Sequence, residues 1–276
     1  MGDFVLRESK AGGVARVAAE LRRARALSRL GAGPADRARL FAASFYLLVR
    51  AQTARRGHDR LSVTIRAFGR QGRLTLSDYS QLLLLEAIFI DGDYAVQPAT
   101  PPRTIVDLGS NIGVSILYFK LRFPDAHVIG VEPDPAAFEL LRRNTAPLEH
   151  VTIRHAAVGA TEGSATFWSA PGAVASSLHR THDAQRPVEV DVYRLQTLVQ
   201  DVPTIDLLKL VVEGSEFAAL ESIDDLGRIG AVTGEIVLKD GDDERLRAVL
   251  AGFDVDLFED KGDGFWQFHA VRRGTA

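Results

Sequence analysis

Asp107-Leu-Gly109-Ser110-Asn111-Ile-Gly113 is the stretch of this 276-residue chain whose residue types and spacing best suit chemistry. The apolar run Thr104-Ile-Val leads into the acid Asp107, and the glycine turn that follows opens directly into a helical run from Gly113 to Arg122. Glycines at 109 and 113 let the backbone bend sharply and come close to a ligand. A second acid, Glu132, ends the next apolar run, 19 residues after Gly113. That is close to the spacing at which a carboxylate meets ribose hydroxyls.

Two nucleotide-like cofactors fit a strand–turn–helix of this kind. A dinucleotide needs the G-x-G-x-x-G turn, because its pyrophosphate rests on amides at the helix N-terminus. Here the turn reads Gly-Ser-Asn-Ile-Gly and is preceded by Asp107. A carboxylate at that point repels a pyrophosphate but attracts an ammonium, more strongly where water is excluded. The residues therefore favour S-adenosylmethionine, whose methionyl group carries an ammonium, over NAD.

The elements that must hold this turn are legible around it. Apolar strands are expected at Thr104–Leu108, His127–Glu132, Val151–His155, Ile205–Val212 and Val232–Leu238. Helices are expected at Gly113–Arg122, Pro135–Thr145, Gly214–Ile223 and Asp242–Leu250. Short apolar strands alternating with helices indicate an α/β fold, a doubly wound parallel sheet with both faces covered. Asp254–Glu259 and Trp266–Arg272 flank Lys261-Gly-Asp-Gly264 and read as a terminal antiparallel hairpin, and Ser164–Tyr193 as a β-rich excursion. In front of this domain, over residues 1–100, lie a basic amphipathic helix (12–30), a second helix (Asp36–Thr53) and a hairpin, Leu61–Arg66 with Arg73–Leu76, around a turn at Phe68–Gly72. Ser77–Ile90 reads as a helix N-capped by Ser77 and stopped at Asp91-Gly92-Asp93-Tyr94. The expected organisation is an N-terminal helical and hairpin extension over 1–100 and a catalytic α/β domain over 101–276.

Composition narrows the classes. A net charge of -3 gives no electrostatic footprint for nucleic acid. The absence of cysteine removes thiol nucleophiles, zinc–thiolate clusters and disulfides, and suits a cytoplasmic location. Leu40–Val49, the most apolar early stretch, is flanked by arginines and falls short of the roughly 20 residues that span a bilayer. It reads as a buried or partner-facing helix, and the N-terminal helices offer a surface for homo-oligomerisation.

The ordered set Asp107-Leu-Gly-Ser-Asn-Ile-Gly113, Val131-Glu132-Pro133, Ala156-Ala157-Val158-Gly159, Ser176-Ser177-Leu178 and Asp206-Leu-Leu-Lys209-Leu-Val-Val-Glu213-Gly214-Ser-Glu216 resembles the FkbM-type methyltransferases, a class I family. The resemblance covers roughly Ser77 to Val271. It implies a seven-stranded, Rossmann-like sheet ending in an antiparallel hairpin. It also implies S-adenosylmethionine as cofactor, with methyl transfer to a hydroxyl of a sugar or of a sugar-bearing natural product or glycolipid. The cofactor-binding residues it implies are Asp107, Gly109, Ser110, Asn111, Gly113, Glu132, Pro133, Ala157 and Val158, with Tyr94 closing over the cofactor. Two residues depart from the family pattern, Val211 and Gln196, and each stands where an Asp is usual. Both changes delete carboxylates, which keeps open a catalytically inactive cofactor-binding protein beside the enzyme. An NAD-dependent oxidoreductase is the less favoured third reading.

Period-two geometry puts Lys209, Val211 and Glu213 on one face of their strand, running toward its carboxyl end, where open α/β sheets bind ligands. Glu213 is thus a candidate catalytic group, with a helix-start charge as the plain alternative. A sulfonium is already electrophilic, so alignment of a small hydroxylated acceptor can supply much of the catalysis, roughly 7–11 kcal/mol in well-oriented cases. A hydroxyl still benefits from a general base. Candidates are Glu213, His179 and, less favoured, Glu235. His179 and His182 share a loop after Ser176-Ser177, but the missing carboxylates leave few oxygen ligands for a hard cation, and no metal is expected.

Overall fold

The computed structural model describes residues 13–50, 60–78, 81–98, 100–169, 185–212, 214–239, 241–259 and 265–274. The chain forms two compact units, one up to Gly92 and one from Asp93 onward.

In the first unit, α1 (Gly13–Arg29) and α2 (Pro34–Arg50) are followed by the hairpin β1 (Leu61–Ala67) and β2 (Arg70–Leu76). Helix α1 buries Ala24 and Leu27 while Arg22, Arg25 and Arg29 stay exposed, the amphipathic pattern expected of it. The loop between the helices adds to β1: the Arg66 amide donates to Leu30 O at 2.7 Å and the Ala32 amide to Thr64 O at 2.8 Å. The hairpin turn is tighter than the five residues expected. Phe68 (φ 52°) and Gly69 (φ 74°) make a two-residue turn in the left-handed region, whose twist matches that of the strands. The following helix also begins later than Ser77. Ser77 and Gln81 bond each other, the Ser77 amide to Gln81 Oε1 at 2.9 Å and Gln81 Nε2 to Ser77 Oγ at 3.2 Å. That exchange takes the Ser77 hydroxyl away from an N-cap role. Helix α3 then runs only over Leu82–Glu86 and widens into a π-turn, Ala87–Asp91, stopped by Gly92 at φ 79°.

The second unit is built on β3 (Thr104–Leu108), α4 (Val114–Arg122), β4 (His127–Val131), α5 (Pro135–Thr145) and β5 (Val151–Arg154). It continues with β6 (Ala157–Val158), β7 (Gly163–Ser169), β8 (Arg186–Tyr193), α6 (Leu195–Leu198), β9 (Ile205–Leu210) and α7 (Glu216–Glu221). It ends with β10 (Ile229–Val237), α8 (Asp242–Val249), β11 (Phe253–Glu259) and β12 (Phe265–Arg272). Seven strands make one sheet in the order β11-β12-β10-β9-β3-β4-β5, parallel except for β12, which is antiparallel to both neighbours. This is the doubly wound α/β sheet with a terminal antiparallel hairpin that the alternation predicts. Strands β6, β7 and β8 form a separate three-stranded sheet in the order β6-β8-β7, and residues 170–184 of the excursion lie outside the described residues.

The two faces of the large sheet differ. One carries Val106, Leu108, Leu208, Leu210, Val232, Ile236, Phe268 and Ala270, packed with Leu195 and Leu198 of α6, Ala219 and Leu220 of α7 and Leu246 of α8. The other face carries a polar row: register pairs Asp107 with Lys209, Lys209 with Thr233, and Thr233 with His269. The chain order of the strands reverses between β3 and β9, and a crevice at such a switch point is where open α/β sheets take ligands. Asp206 fixes this junction, its Oδ2 accepting the amides of Arg103 and Thr104, both at 2.8 Å.

Candidate cofactor site

The turn after β3 is shaped by three left-handed residues, Gly109 (φ 76°), Asn111 (φ 48°) and Gly113 (φ 91°). At Gly109 the requirement is strict, since a Cβ there would lie 1.8 Å from the Val211 carbonyl oxygen at the end of β9. Every amide of the turn is taken up within the protein. Gly109 and Ser110 donate to Val131 O at 2.9 and 3.0 Å, and Gly113 to Ser110 O at 2.8 Å. Asn111 donates to Glu132 Oε2 at 2.7 Å, and Ile112 to Asn111 Oδ1 at 2.8 Å. Helix α5 braces the turn through Asn144 Nδ2, which donates to Ile112 O at 2.8 Å.

Glu132 is buried at the end of β4, 5% exposed. Its Oε1 accepts the Asp134 amide at 2.8 Å while Oε2 holds Asn111. Burial pushes its carboxyl up to about 7, against the opposing pull of the Asp134 and Asn111 amides. A carboxylate offers about four acceptor positions, so capacity remains for two ribose hydroxyls. Asp134 caps α5, its Oδ1 accepting Ala136 N at 2.9 Å and Ala137 N at 3.1 Å. The Pro133 carbonyl is 3.0 Å from His155 Nε2, whose ring stacks on Phe138 at 4.7 Å. Ala157 and Val158 are buried in β6, joined to Glu132 through the neighbouring Ala156 amide, which donates to Glu132 O at 3.3 Å.

Asp107 differs from the expectation of a carboxylate open to a ligand. It is fully buried, its Oδ2 accepts Ser115 Oγ at 2.5 Å, and its Oδ1 lies 3.1 Å from Lys209 Nζ. The ammonium also donates to Leu108 O at 3.1 Å and Gly109 O at 2.6 Å. Asp107 Oδ1 has no aligned hydrogen bond among the described residues, so its attraction to Lys209 is Coulombic. The ring of Tyr94 lies 5.5 Å from the same ammonium and against Phe119, with Asp93 O beside it accepting from Thr233 Oγ1 (3.4 Å), His269 Nε2 (3.0 Å) and Gln267.

The structure thus brings Asp107, Gly109, Ser110, Asn111, Gly113, Glu132 and Pro133 together around the carboxyl ends of β3 and β4, while Ala157 and Val158 lie in β6 beside β8 and Tyr94 lies against Lys209 of β9 and Phe119 of α4. Glu213, His179 and His182 lie outside the described residues. Glu235 is half-buried on β10, opposite Gln267 and on the same face as Thr233. After Gly214 the helix-start carboxylate is Glu216, which accepts Gly214 N at 3.0 Å and Val212 N at 3.3 Å. Sequence reasoning overlooked Ser115, Asn144 and Asp134. Lys209 carried a readable signal, being a charge inside an apolar strand that must be buried and therefore partnered. Among the described residues no cluster of three metal-ligating side chains occurs, and no helix is long and apolar enough to cross a membrane.

Residues 107–253, just over half of the chain, match the methyltransferase FkbM domain family. The chain belongs to this family. It is 32% identical over 166 residues to Methyltransferase 1 of Beauveria bassiana (strain ARSEF 2860), covering 50% of this chain and 65% of that protein. It is 27% identical over 185 residues to Methyltransferase sdnD of Sordaria araneosa, covering 54% and 71%. Among solved structures it is similar to Methyltransferase FkbM from Methylobacillus flagellatus KT, with TM-score 0.47, 14% identity, and 93% and 60% of the two chains covered. This FkbM family member thus spans just under two-thirds of the Beauveria relative's length.

Proposed function

We propose that this chain is an S-adenosylmethionine-dependent methyltransferase acting on a hydroxyl of a small acceptor. The observation that carries the cofactor reading is the closed hydrogen bonding of the turn: all five amides from Gly109 to Gly113 have internal acceptors, one of them the Glu132 carboxylate. A pyrophosphate needs such amides free, so the turn disfavours a dinucleotide. A nucleoside needs only hydroxyl acceptors there, and Glu132 supplies them. Membership of the FkbM methyltransferase family supports the same reading.

The residues present fit the cofactor. Glu132 would hold the ribose, the Gly109–Gly113 turn would lie beneath the nucleoside, Pro133, Ala157 and Val158 would line its base, and Tyr94 would close the methionyl side. When bound, the cofactor supplies a sulfonium methyl open to attack by a nucleophile. The protein's own contribution is then to orient the acceptor, exclude water and take up the hydroxyl proton. Glu213 and His179 remain the proposed bases, with Glu235 a further candidate on the polar face. The acceptor class, a sugar or sugar-bearing natural product or glycolipid, rests on the family resemblance alone.

The second reading, a cofactor-binding protein without turnover, is favoured by Val211, which puts an isopropyl group where the family's Asp stands, beside Gly109. Calorimetric titration with S-adenosylmethionine, S-adenosylhomocysteine and NAD tests the cofactor. Binding of the first two and not of NAD is expected, and binding of NAD alone would sink the proposal. Methyl transfer to hydroxylated sugars then separates the enzyme from the silent binder.

A further inference from the structure

Lys209 has 2% of its surface exposed, and its ammonium meets three oxygens and one ring: Leu108 O, Gly109 O, Asp107 Oδ1 and Tyr94. Burying one charge alone is costly, whereas a pair of opposite charges with further hydrogen bonds is tolerated. Asp107 is the only carboxylate in contact with this ammonium among the described residues. The two carbonyls belong to the end of β3 and the first residue of the turn, 101 and 100 positions away in the sequence. The peptide that joins Gly109 to Ser110 is therefore gripped from both sides. Its carbonyl is held by Lys209 from β9, and its N–H by Val131 O from β4. At φ 76°, with a Cβ at Gly109 barred by Val211 O, glycine is required where β9 and the turn meet.

We infer that Lys209 is the positioning residue of the cofactor turn, and that Asp107 acts through Lys209 rather than by touching the cofactor's ammonium. The inference rests on the cofactor reading above only for its binding readout. Three things carry it: the complete burial of Asp107, the charge already standing against it, and the two carbonyls on that same charge. A second ammonium brought to Asp107 would meet the Lys209 ammonium 3.1 Å from the carboxylate and be repelled.

The test uses the full chain with D107N, K209M and the double variant D107N/K209M. It reads S-adenosylhomocysteine affinity by calorimetry, thermal unfolding, and amide exchange of the peptide covering the turn in the ligand-free protein. In K209M the Gly109 carbonyl loses its charged donor, so affinity is expected to fall about tenfold or more, the scale of one charge-assisted hydrogen bond. D107N keeps the Lys209 grip and is expected to lose less. The double variant removes both buried charges and is expected to regain thermal stability over K209M, while its affinity stays low and its turn exchanges faster than in the wild type. If K209M fails to fold, the double variant alone decides. The inference is overturned if D107N weakens binding more than K209M, or if the double variant binds as wild type with an unchanged turn. Should the wild type bind no S-adenosylhomocysteine, the cofactor reading fails, and exchange at the turn still decides whether Lys209 positions it.

Discussion

The Asn111 amide donates to Glu132 Oε2 at 2.7 Å, joining the turn that leaves β3 to the acid that ends β4. The carboxylate that would hold the ribose also holds the backbone on which the nucleoside would rest, so one side chain sets both the height of the turn and the position of the sugar. A second amide, that of Asp134, fixes the other oxygen and keeps the carboxylate from rotating away.

This gives Glu132 a pH signature. Its folded value of about 7 lies above the ordinary 4.5, so the folded state binds a proton that the unfolded state has released between those limits. The stability it contributes is fully present below pH 4.5 and is lost as pH rises through 7, of order 3 kcal/mol in all at about 1.4 kcal/mol per unit. Ribose hydroxyls donate best to the ionised form, so S-adenosylhomocysteine affinity should rise as pH climbs through 7. In Glu132→Gln, an NH2 group must face an amide donor, Asn111 N or Asp134 N. Affinity should drop, and its pH dependence across this range should flatten. Calorimetry at several pH values checks this, and an unchanged slope in the variant would remove Glu132 from the ribose.

Gly109→Ala should be among the most damaging single-atom additions. The new Cβ would stand 1.8 Å from Val211 O, on a residue whose φ of 76° already disfavours a side chain. Strain and displacement of β9 together are expected to cost several kcal/mol, lowering Tm by about 10 °C. Thermal unfolding measures it directly. Gly69, equally left-handed but with open space around it, is the control, and Gly69→Ala should cost far less.

How much of this was legible in the sequence follows from what each contact depends on. The turn, its two acids and the strand–helix alternation are local, set by glycine positions and by periods of two and 3.6 residues, and they form as expected. The Asp107–Lys209 pair depends on β9 lying beside β3, a sheet order that no local pattern encodes, so the burial of Asp107 against a charge is not legible in the sequence. Ser115 reads as an ordinary helix residue until the first turn of α4 brings it over Asp107. The late start of α3 has a similar origin, since Ser77 suits an N-cap and only the competing Gln81 side chain diverts it. Strand parity points to Glu213 and loop composition to His179, and both fall outside the described residues.

Asp134 offers a test of how far the support of the site reaches. It is fully buried, accepts two amides at the start of α5 and accepts Ser169 Oγ at 2.5 Å from β7. Asp134→Ala should cost about 1–2 kcal/mol for the lost cap. Asp134→Asn keeps an acceptor for the two amides and should cost less. Because α5 braces the turn through Asn144, the Ala variant should also weaken S-adenosylhomocysteine binding, by a smaller factor than Glu132→Gln. Equal binding in both variants and the wild type would confine Asp134 to stability.

Gln196, one of the two departures from the family pattern, belongs to the other end of the sheet. Its Oε1 accepts Arg228 Nη1 at 3.2 Å and the Asp224 amide at 3.4 Å, and Arg228 directly precedes the first residue of β10. The cofactor turn lies at the carboxyl ends of the parallel strands and Gln196 near an amino end, so a carboxylate at this position would serve Arg228 and not the methyl transfer. Arg228 also donates to the carbonyls of Val199 and Val202, which keeps it anchored when Gln196 changes. Gln196→Ala should therefore lower Tm by only a few degrees, consistent with about 1–2 kcal/mol for its two partly exposed hydrogen bonds, and leave S-adenosylhomocysteine affinity as in the wild type. Gln196→Asp, by restoring a charge opposite Arg228, should raise Tm without changing affinity. A loss of binding in Gln196→Ala would mean that this end of the sheet reaches the site after all; the expected result separates Gln196 from cofactor binding and leaves Val211, whose carbonyl packs against Gly109, as the departure nearest the turn.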